Sequence, residues 1–314
     1  MSEHRICIMG GTGFVGRHLA AKLNELSIPA KILTRRRERQ RAVLVLPLTQ
    51  VVEVNVYDYE LLKKEFQGYD TVINLVGILN EEGHSGSGFH KAHVSLTRNI
   101  VDACVSAGCK RLLQMSSLNA NTNHPSSFYL RTKGMAEDYV HTFARGIKAT
   151  SFRPSVIFGD GDSFFTRFAR LLKLSPYFFP LACPDTRFAP VYVGDVVREF
   201  IESLDNPVTF GKRLELCGPE IYTLKELVDY TAQLLGLRRK IIALPDFTAR
   251  LQAALMEYIP GKPFSLDNYY SMQKDSVCAN GVTATTSLQA VVPTYLLNQN
   301  TRARYNLFRQ VYGR

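Results

Sequence analysis

Tyr129 and Lys133 stand four residues apart in FYLRTKGMAEDYVHTFA, a spacing that puts both side chains on one face of a helix, one turn apart. A nearby ammonium favours the tyrosinate, so a tyrosine beside a lysine can donate or accept a proton near neutral pH. Ser117 lies just past the apolar run Arg111 to Met115, in QMSSLNAN. A hydroxyl at that strand end can share the proton and polarise a carbonyl. Y-x-x-x-K pairs are common by chance. Its place after a fifth strand ending in two serines makes Ser117, Tyr129 and Lys133 a candidate catalytic set.

A second constellation opens the chain. In RICIMGGTGFVGRHL the apolar run Ile6 to Met9 passes straight into Gly10, Gly11, Gly13 and Gly16, and then into a helical pattern. Gly11, Gly13 and Gly16 match G-x-G-x-x-G; Gly10, Gly13 and Gly16 are each three apart. Either spacing puts bare backbone at a strand-to-helix turn, where a dinucleotide pyrophosphate can rest on the open N–H groups of a helix. The bland alternative is a tight turn that packs helix on strand. The strand before and the helix after favour nucleotide binding, with Gly10, Gly11, Thr12, Gly13, Phe14, Val15 and Gly16 as the candidate cradle. Val76, Gly77 and Pro154, at later strand ends, complete the cofactor-binding set, Gly77 letting the chain pass close to the nucleotide.

The second strand, Ala30 to Leu33, runs into LTRRRERQR. An acid at this place binds the ribose 2′-hydroxyl of NAD, whereas an arginine accommodates a 2′-phosphate. No acid comes before Glu38, so Arg35 and Arg36 predict NADP(H) in preference to NAD(H). Arg37, Arg39 and Arg41 read as a solvated helix face.

These residues need a scaffold, and the pattern supplies one. The helix Phe14 to Leu26, a strand at Val51 to Val54, the helix Tyr59 to Phe66, a strand at Thr71 to Leu75 and the helix His93 to Ala107 alternate as repeated βαβ units. The expectation is an α/β fold: a doubly wound parallel sheet with a smaller C-terminal α/β lobe closing over the strand ends. Residues 1–160 form the dinucleotide-binding domain, completed by about residues 190–205, and 161–314 form the lobe and tail. The 314 residues, 46% of them hydrophobic, suffice for a large core.

Other features bound the function. No apolar stretch is long enough to cross a bilayer, and no signal peptide is read at the amino terminus, so a cytoplasmic protein is expected. The six cysteines, Cys7, Cys104, Cys109, Cys183, Cys217 and Cys278, are scattered without a C-x-x-C pair and read as reduced structural thiols. His84, His90 and His93 lie in a glycine-rich stretch, EEGHSGSGFHKAH, expected to be a mobile loop bordering the cofactor cleft. Their spacing fits no common metal site. The formal charge of +10 suits an anionic partner, but no nucleic-acid motif accompanies it.

The second half carries shape more than chemistry. Asp162 to Leu172 is an amphipathic helix that reads as a core stripe, with a cleft lid as the alternative. YFFPLACPDTRF is a proline-bracketed aromatic loop that either contacts an apolar ligand or caps the core. A helix at Gly194 to Leu204 returns to the nucleotide domain. Arg213 to Leu216, the helix Thr223 to Leu235 and the strand Lys240 to Ala243 build the lobe. The terminal TRARYNLFRQVYGR has four arginines, three aromatics and no acid. It suits an anionic membrane or an acidic subunit, or is a frayed terminus.

The glycine turn, the strand-end serines, Tyr129 with Lys133, and Arg153-Pro154 together resemble the extended short-chain dehydrogenase/reductase superfamily. More narrowly, NLVGIL, QMSSLNAN, FYLRTKGMAED, SFRPSVIFGDGDSFF and APVYVGDVV are similar to the NADPH-binding accessory subunit of respiratory complex I and its bacterial relatives. The likeness covers residues 5 to 245, and DNYYSMQKDSVC shares it. It implies that Ser117, Tyr129 and Lys133 form a catalytic triad, that Lys133 also holds the nicotinamide ribose, and that Asp58 lies near the adenine. Departures are informative. Asn55 stands where the superfamily has an adenine-side Asp, and His93 where the fourth helix has an Asn. Phe188, Ala189 and Pro190 occupy the Arg-Asp-Phe place of sugar-nucleotide enzymes. The eleven residues between Ser117 and Tyr129 lack those enzymes' Val-Tyr-Gly. A nucleotide-sugar substrate is therefore disfavoured. Two readings remain: a nucleotide-binding module associated with respiratory-chain subunits, peripheral on the inner face of a membrane, or a stand-alone oxidoreductase or epimerase acting on a small carbonyl or hydroxyl compound.

Overall fold

Ile6–Met9, Ala30–Thr34, Thr71–Asn74 and Arg111–Met115 are buried along their whole length, as strands covered by helices on both faces must be. The computed structural model describes residues 4–39, 41–279 and 284–297. In chain order its elements begin β1 (Ile6–Met9), α1 (Phe14–Glu25), β2 (Ala30–Thr34), α2 (Arg41–Leu44), β3 (Thr49–Glu53) and α3 (Tyr59–Phe66). Next come β4 (Thr71–Asn74), α4 (Ser87–Phe89), α5 (Leu96–Ala107), β5 (Arg111–Met115), α6 (Phe128–Phe143) and β6 (Lys148–Pro154). Then follow β7 (Ile157–Phe158), α7 (Phe164–Leu174), β8 (Phe178–Leu181), β9 (Arg187–Phe188), β10 (Val191–Tyr192) and α8 (Val193–Glu202). The chain continues through β11 (Arg213–Leu216), β12 (Tyr222–Thr223), α9 (Leu224–Leu234), β13 (Lys240–Ala243), α10 (Asp246–Met256), α11 (Leu266–Ser271) and α12 (Leu288–Leu296).

Seven strands form the main sheet, in the order β11-β6-β5-β4-β1-β2-β3. Strands β1 to β6 pair in parallel with their neighbours, for example Ile6 with both Ala30 and Thr71. The strand order reverses between β1 and β4, and ligands of such sheets bind outside the carboxyl ends at this switch point. The doubly wound parallel sheet is as expected. The chain divides into two compact units, Met1–Pro154 with Val196–Glu215 and Ser155–Asp195 with Leu216–Arg314.

In the first unit, α3 begins where the Asp58 carboxylate accepts the Leu61 N–H. It turns Leu62 and Phe66 inward against Ile100, Val101 and Cys104 of α5. Gly108 ends α5 in the left-handed region, where glycine costs least. The histidine stretch is more fastened than its composition suggests. The Glu81 carboxylate accepts the N–H groups of Gly86 and Gly88 at 2.6 and 2.7 Å. The chain then enters α4 and a π-helical turn, His90–Ser95, which buries His93. Among the described residues no cluster of histidines, cysteines and acids could hold a metal, and no helix is long and apolar enough to cross a membrane.

The second unit has its own core, in which Phe165 and Leu172 of α7 meet Phe158, Leu227, Val228 and Val292. The amphipathic helix is thus a core stripe, as expected. The proline-rich stretch is not merely a loop: Phe178–Leu181 pairs in parallel with Lys240–Ala243, and Arg187–Phe188 pairs with β12. Proline lacks a donor but is tolerated where a strand needs none, at edges of small sheets.

The cysteine expectation is corrected in part. Cys217 and Cys278 form a disulfide across 61 residues of sequence, while Cys7, Cys104, Cys109 and Cys183 are free. No spacing signals this pair. It arises because the segment around Ser276 is laid along the start of β9, where Ser276 N–H donates to Arg187 and its carbonyl accepts from Ala189. The terminal arginine-rich stretch, 301–314, lies outside the described residues.

Candidate functional site

The turn after β1 leaves no room for a side chain at Gly10, Gly11 or Gly16. Gly10 takes φ +74°, a region that disfavours other residues, and a Cβ there would come within 3.0 Å of the Leu75 backbone. A Cβ on Gly16 would lie 2.5 Å from the Gly10 carbonyl and the Gly11 Cα. At Gly11 the obstacle is the Ile32 side chain at 2.9 Å, so packing of the turn on β2, rather than ligand access, demands glycine there. Gly13 caps α1 with extended backbone and no side-chain bond, and the first turn holds no acid. The helix therefore presents open N–H groups and the positive end of its dipole, an anion cradle. Thr12, Phe14 and Val15 are half-buried around it.

At the end of β2, Arg35 and Arg36 are exposed, and neither makes an ion pair among the described residues. Arg37 differs: its N–H donates to Glu53 at 2.7 Å and its Nε to the Val51 carbonyl at 3.2 Å. The arginine run is thus two projecting cations followed by one fastened to β3, not a uniformly solvated face. Asp58 caps α3 with one carboxylate oxygen, 3.1 Å from the Leu61 N–H. Asn55 accepts the Tyr57 N–H.

The carboxyl end of β4 is held by an amide network. Asn74 donates to Gln114 at 2.9 Å and accepts the Val76 N–H at 3.1 Å. This fixes Val76 and Gly77 beside Lys133. A Cβ at Gly77 would lie 2.9 Å from the Lys133 ammonium. The lysine occupies the space that a side chain would need, a reason for glycine that sequence reasoning missed.

Helix α6 carries the lysine and the tyrosine, and three devices set its place. The Ser127 hydroxyl caps its first turn by accepting the Leu130 N–H. Gly134 lets the backbone of Asn121 and Thr122 press against it, since a Cβ would meet the Thr122 nitrogen at 2.4 Å. Glu137, 1% exposed, accepts from both Arg153 and Arg213 and so ties α6 to β6 and β11. Lys133, 4% exposed, donates to the carbonyls of Met115 at 3.2 Å and Val76 at 3.5 Å. Burial pulls its pKa down to about 8, with Glu137 opposing the shift.

Tyr129 is half-buried. Its ring meets the His93 ring edge-on at 5.6 Å and the Phe89 ring at 6.2 Å. The Ser117 hydroxyl donates to the Leu118 carbonyl at 3.2 Å, and Pro154, at the end of β6, accepts the Leu118 N–H. The structure therefore groups Lys133, Val76 and Gly77 directly, sets Tyr129 on the same helix beside His93, and places Ser117 just past β5. Next to it, the Ser116 hydroxyl is buried without a hydrogen-bond partner among the described residues.

His93 is the residue whose role the sequence concealed. Its Nε2 accepts the Ile78 N–H at 3.1 Å, so the ring proton sits on Nδ1, which donates to the Thr132 hydroxyl at 2.9 Å. Thr132 in turn donates to the Phe128 carbonyl. Burial and the Lys133 charge hold the His93 pKa well below its ordinary value, so the ring is a neutral brace between the Gly77 turn and α6. Its departure from the superfamily's Asn at this place was the only available signal.

A family model described as the NAD dependent epimerase/dehydratase family matches residues 6–217. The chain belongs to that family. Among curated relatives, it is 31% identical over 233 residues to "NADH dehydrogenase [ubiquinone] 1 alpha subcomplex subunit 9, mitochondrial" of Mus musculus, covering 71% of this chain and 59% of that protein. The chain thus spans less than two thirds of that relative's length. It is 28% identical over 247 residues to a ceramide reductase of Caulobacter vibrioides, covering 77% of this chain and 74% of that protein. The fold is similar to that of UDP-glucose 4-epimerase from Thermotoga maritima. There the TM-score is 0.72 at 16% identity, over 95% of this chain and 99% of the other.

Proposed function

We propose that this chain is an NADP(H)-binding module of the short-chain dehydrogenase/reductase type, associated with the respiratory chain. The observation that carries the nucleotide reading is the open amino end of α1, bare of side chains at Gly10, Gly13 and Gly16. Diphosphate oxygens would accept its N–H groups. Arg35 and Arg36, projecting without ion-pair partners among the described residues, suit a 2′-phosphate and support NADP(H) over NAD(H). Asp58 and Val76 flank the adenosine half, and Gly77 and Pro154 the nicotinamide half. A bound nicotinamide supplies hydride transfer. The chain's own contribution is to hold the ribose through Lys133, to favour the Tyr129 phenolate with the same ammonium, and to orient a carbonyl with Ser117. Kinship with the mouse NADH dehydrogenase subunit supports the respiratory association.

A second reading, a stand-alone reductase, is favoured by the presence of all three of Ser117, Tyr129 and Lys133 and by kinship with the ceramide reductase. Two measurements separate them. Mild-detergent purification of the tagged protein from its host should recover respiratory-chain subunits in stoichiometric amounts; recovery of the chain alone sinks the module reading. Tyr129→Phe should complement a deletion fully if the chain is a module. If it is a reductase, activity should fall by about 10²–10⁴-fold with NADPH affinity retained.

The cofactor preference has its own test. Arg35→Asp should weaken NADPH binding by about tenfold or more while leaving NADH binding nearly unchanged, because only NADPH carries the 2′-phosphate. Equal losses for both would overturn the assignment.

A further inference from the structure

Helix α10 is packed the wrong way round for an ordinary surface helix. Its small residues, Ala249 and Ala253, are buried against Tyr269 and Ala182. Its large apolar residues face out: Phe247 is 78% exposed, Leu251 50% and Leu255 62%. They recur every four residues and form one stripe along the helix. The stripe runs on into Tyr258 and Ile259, which are 81% and 47% exposed. A globular helix normally buries its large apolar side chains, so a continuous outward stripe marks a binding surface.

The neighbouring sheet repeats the pattern. Gln252 of α10 donates to the Pro180 carbonyl of β8 at 3.1 Å, which joins the two elements side by side. In β8 and β13, Phe179 and Leu181 point into the core while Phe178 and Ile242 are exposed. Leu174 and Tyr177, just before β8, are 81% and 73% exposed. All of these belong to the second unit.

The charge around this apolar face has one dominant sign. Residues 170–181 carry Arg170 and Lys173 and no acid, and Arg238, Arg239 and Lys240 lead into β13. In α10 and its extension to Lys262, the acids are Asp246 and Glu257. Both are engaged, Asp246 by the Tyr269 hydroxyl and Glu257 by the Leu266 N–H. Protruding Phe, Leu and Tyr side chains rimmed by Lys and Arg are the makeup of a surface that lies in the headgroup layer of an anionic bilayer. We propose that this face of the second unit, centred on Phe247, Leu251, Leu255 and Phe178, docks the protein on an anionic lipid surface. The proposal does not depend on the nucleotide reading.

The full chain should cosediment with vesicles of phosphatidylcholine mixed with phosphatidylglycerol, and weakly or not at all with phosphatidylcholine alone. The double substitution Phe247→Ser with Leu255→Ser, both at exposed positions, should lower partitioning onto the anionic vesicles by about tenfold or more without changing the thermal midpoint. Arg238→Glu with Lys240→Glu should remove the preference for anionic lipid. Three results would overturn the proposal. One is absence of binding to either vesicle. Another is unchanged binding of the Phe247/Leu255 variant, which would transfer the role to residues 298–314. The third is a dimer in solution that the same variant dissociates, which would make a second copy the partner. NADPH titration of each variant reports separately on the nucleotide site.

Discussion

Lys133 and Glu137 sit one turn apart on the same helix, both nearly fully buried, yet they are treated in opposite ways. Glu137 receives two guanidinium groups, from Arg153 on β6 and Arg213 on β11. Among the described residues Lys133 has hydrogen bonds to two backbone carbonyls alone, the longer at 3.5 Å, with the Glu137 charge acting on it without direct contact. A buried charge with full compensation ties elements together; a buried charge left to neutral acceptors is held against its own solvation cost. The first is architecture. The second suits the ligand-holding role proposed for Lys133.

The contrast can be broken by substitution, and the largest effect should come from the compensated charge. Glu137→Ala leaves the half-buried Arg153 without its partner and the exposed Arg213 with Asp138 alone, and should destabilise the first unit by about 3 kcal/mol, read by urea unfolding. A cost below about 1 kcal/mol would show that the cluster behaves as a surface ion pair and would erase the distinction.

Lys133→Met should do the reverse. With its pKa pulled down to about 8 from 10.5, the ammonium costs the folded nucleotide-free protein about 3 kcal/mol at pH 7. The substitution should therefore raise the unfolding midpoint while weakening NADPH binding. The sign follows from proton linkage. Below about pH 8 the lysine is charged in both states and the full cost applies. Between there and 10.5 the folded state has released a proton that the unfolded state retains, so native stability rises with pH. The advantage of Lys133→Met should shrink across that window and vanish above it. An advantage that stays flat from pH 7 to pH 11 would refute the buried-cation account.

The smallest effect concerns the neutral brace. Thr132→Val removes the acceptor of the His93 Nδ1 proton and should cost about 1–2 kcal/mol. Thr132→Ser, which restores the hydroxyl, should recover most of it. If Val and Ser behave alike in thermal unfolding, the His93–Thr132 bond contributes nothing to holding the Gly77 turn on α6.

Much of the first unit was legible in the sequence because its signals are short-ranged. The run Ile6 to Met9 followed by three spaced glycines, the helix Tyr59–Phe66 and the strand Arg111–Met115 appear where the periodicities put them. The i,i+4 relation of Tyr129 and Lys133 follows from helix geometry alone. The second unit was less legible. YFFPLACPDTRF reads as a loop by its prolines, yet β8 is paid no local signal and forms because β13, some sixty residues later, lies beside it.

By itself, then, the sequence determined the alternation of strands and helices, the glycine turn and the face shared by Tyr129 and Lys133. These depend on backbone sterics and on repeats of two and 3.6 residues, which neighbours in the chain decide. Only the tertiary structure decided which charge on α6 is compensated, since Arg153 and Arg213 lie 16 and 76 residues from Glu137. It also decided that Cys217 meets Cys278 and that α10 turns its alanines inward. Each of these is a long-range choice. Burial makes it, by placing far-apart residues in one low-dielectric space where an unpaired charge or an empty volume is costly.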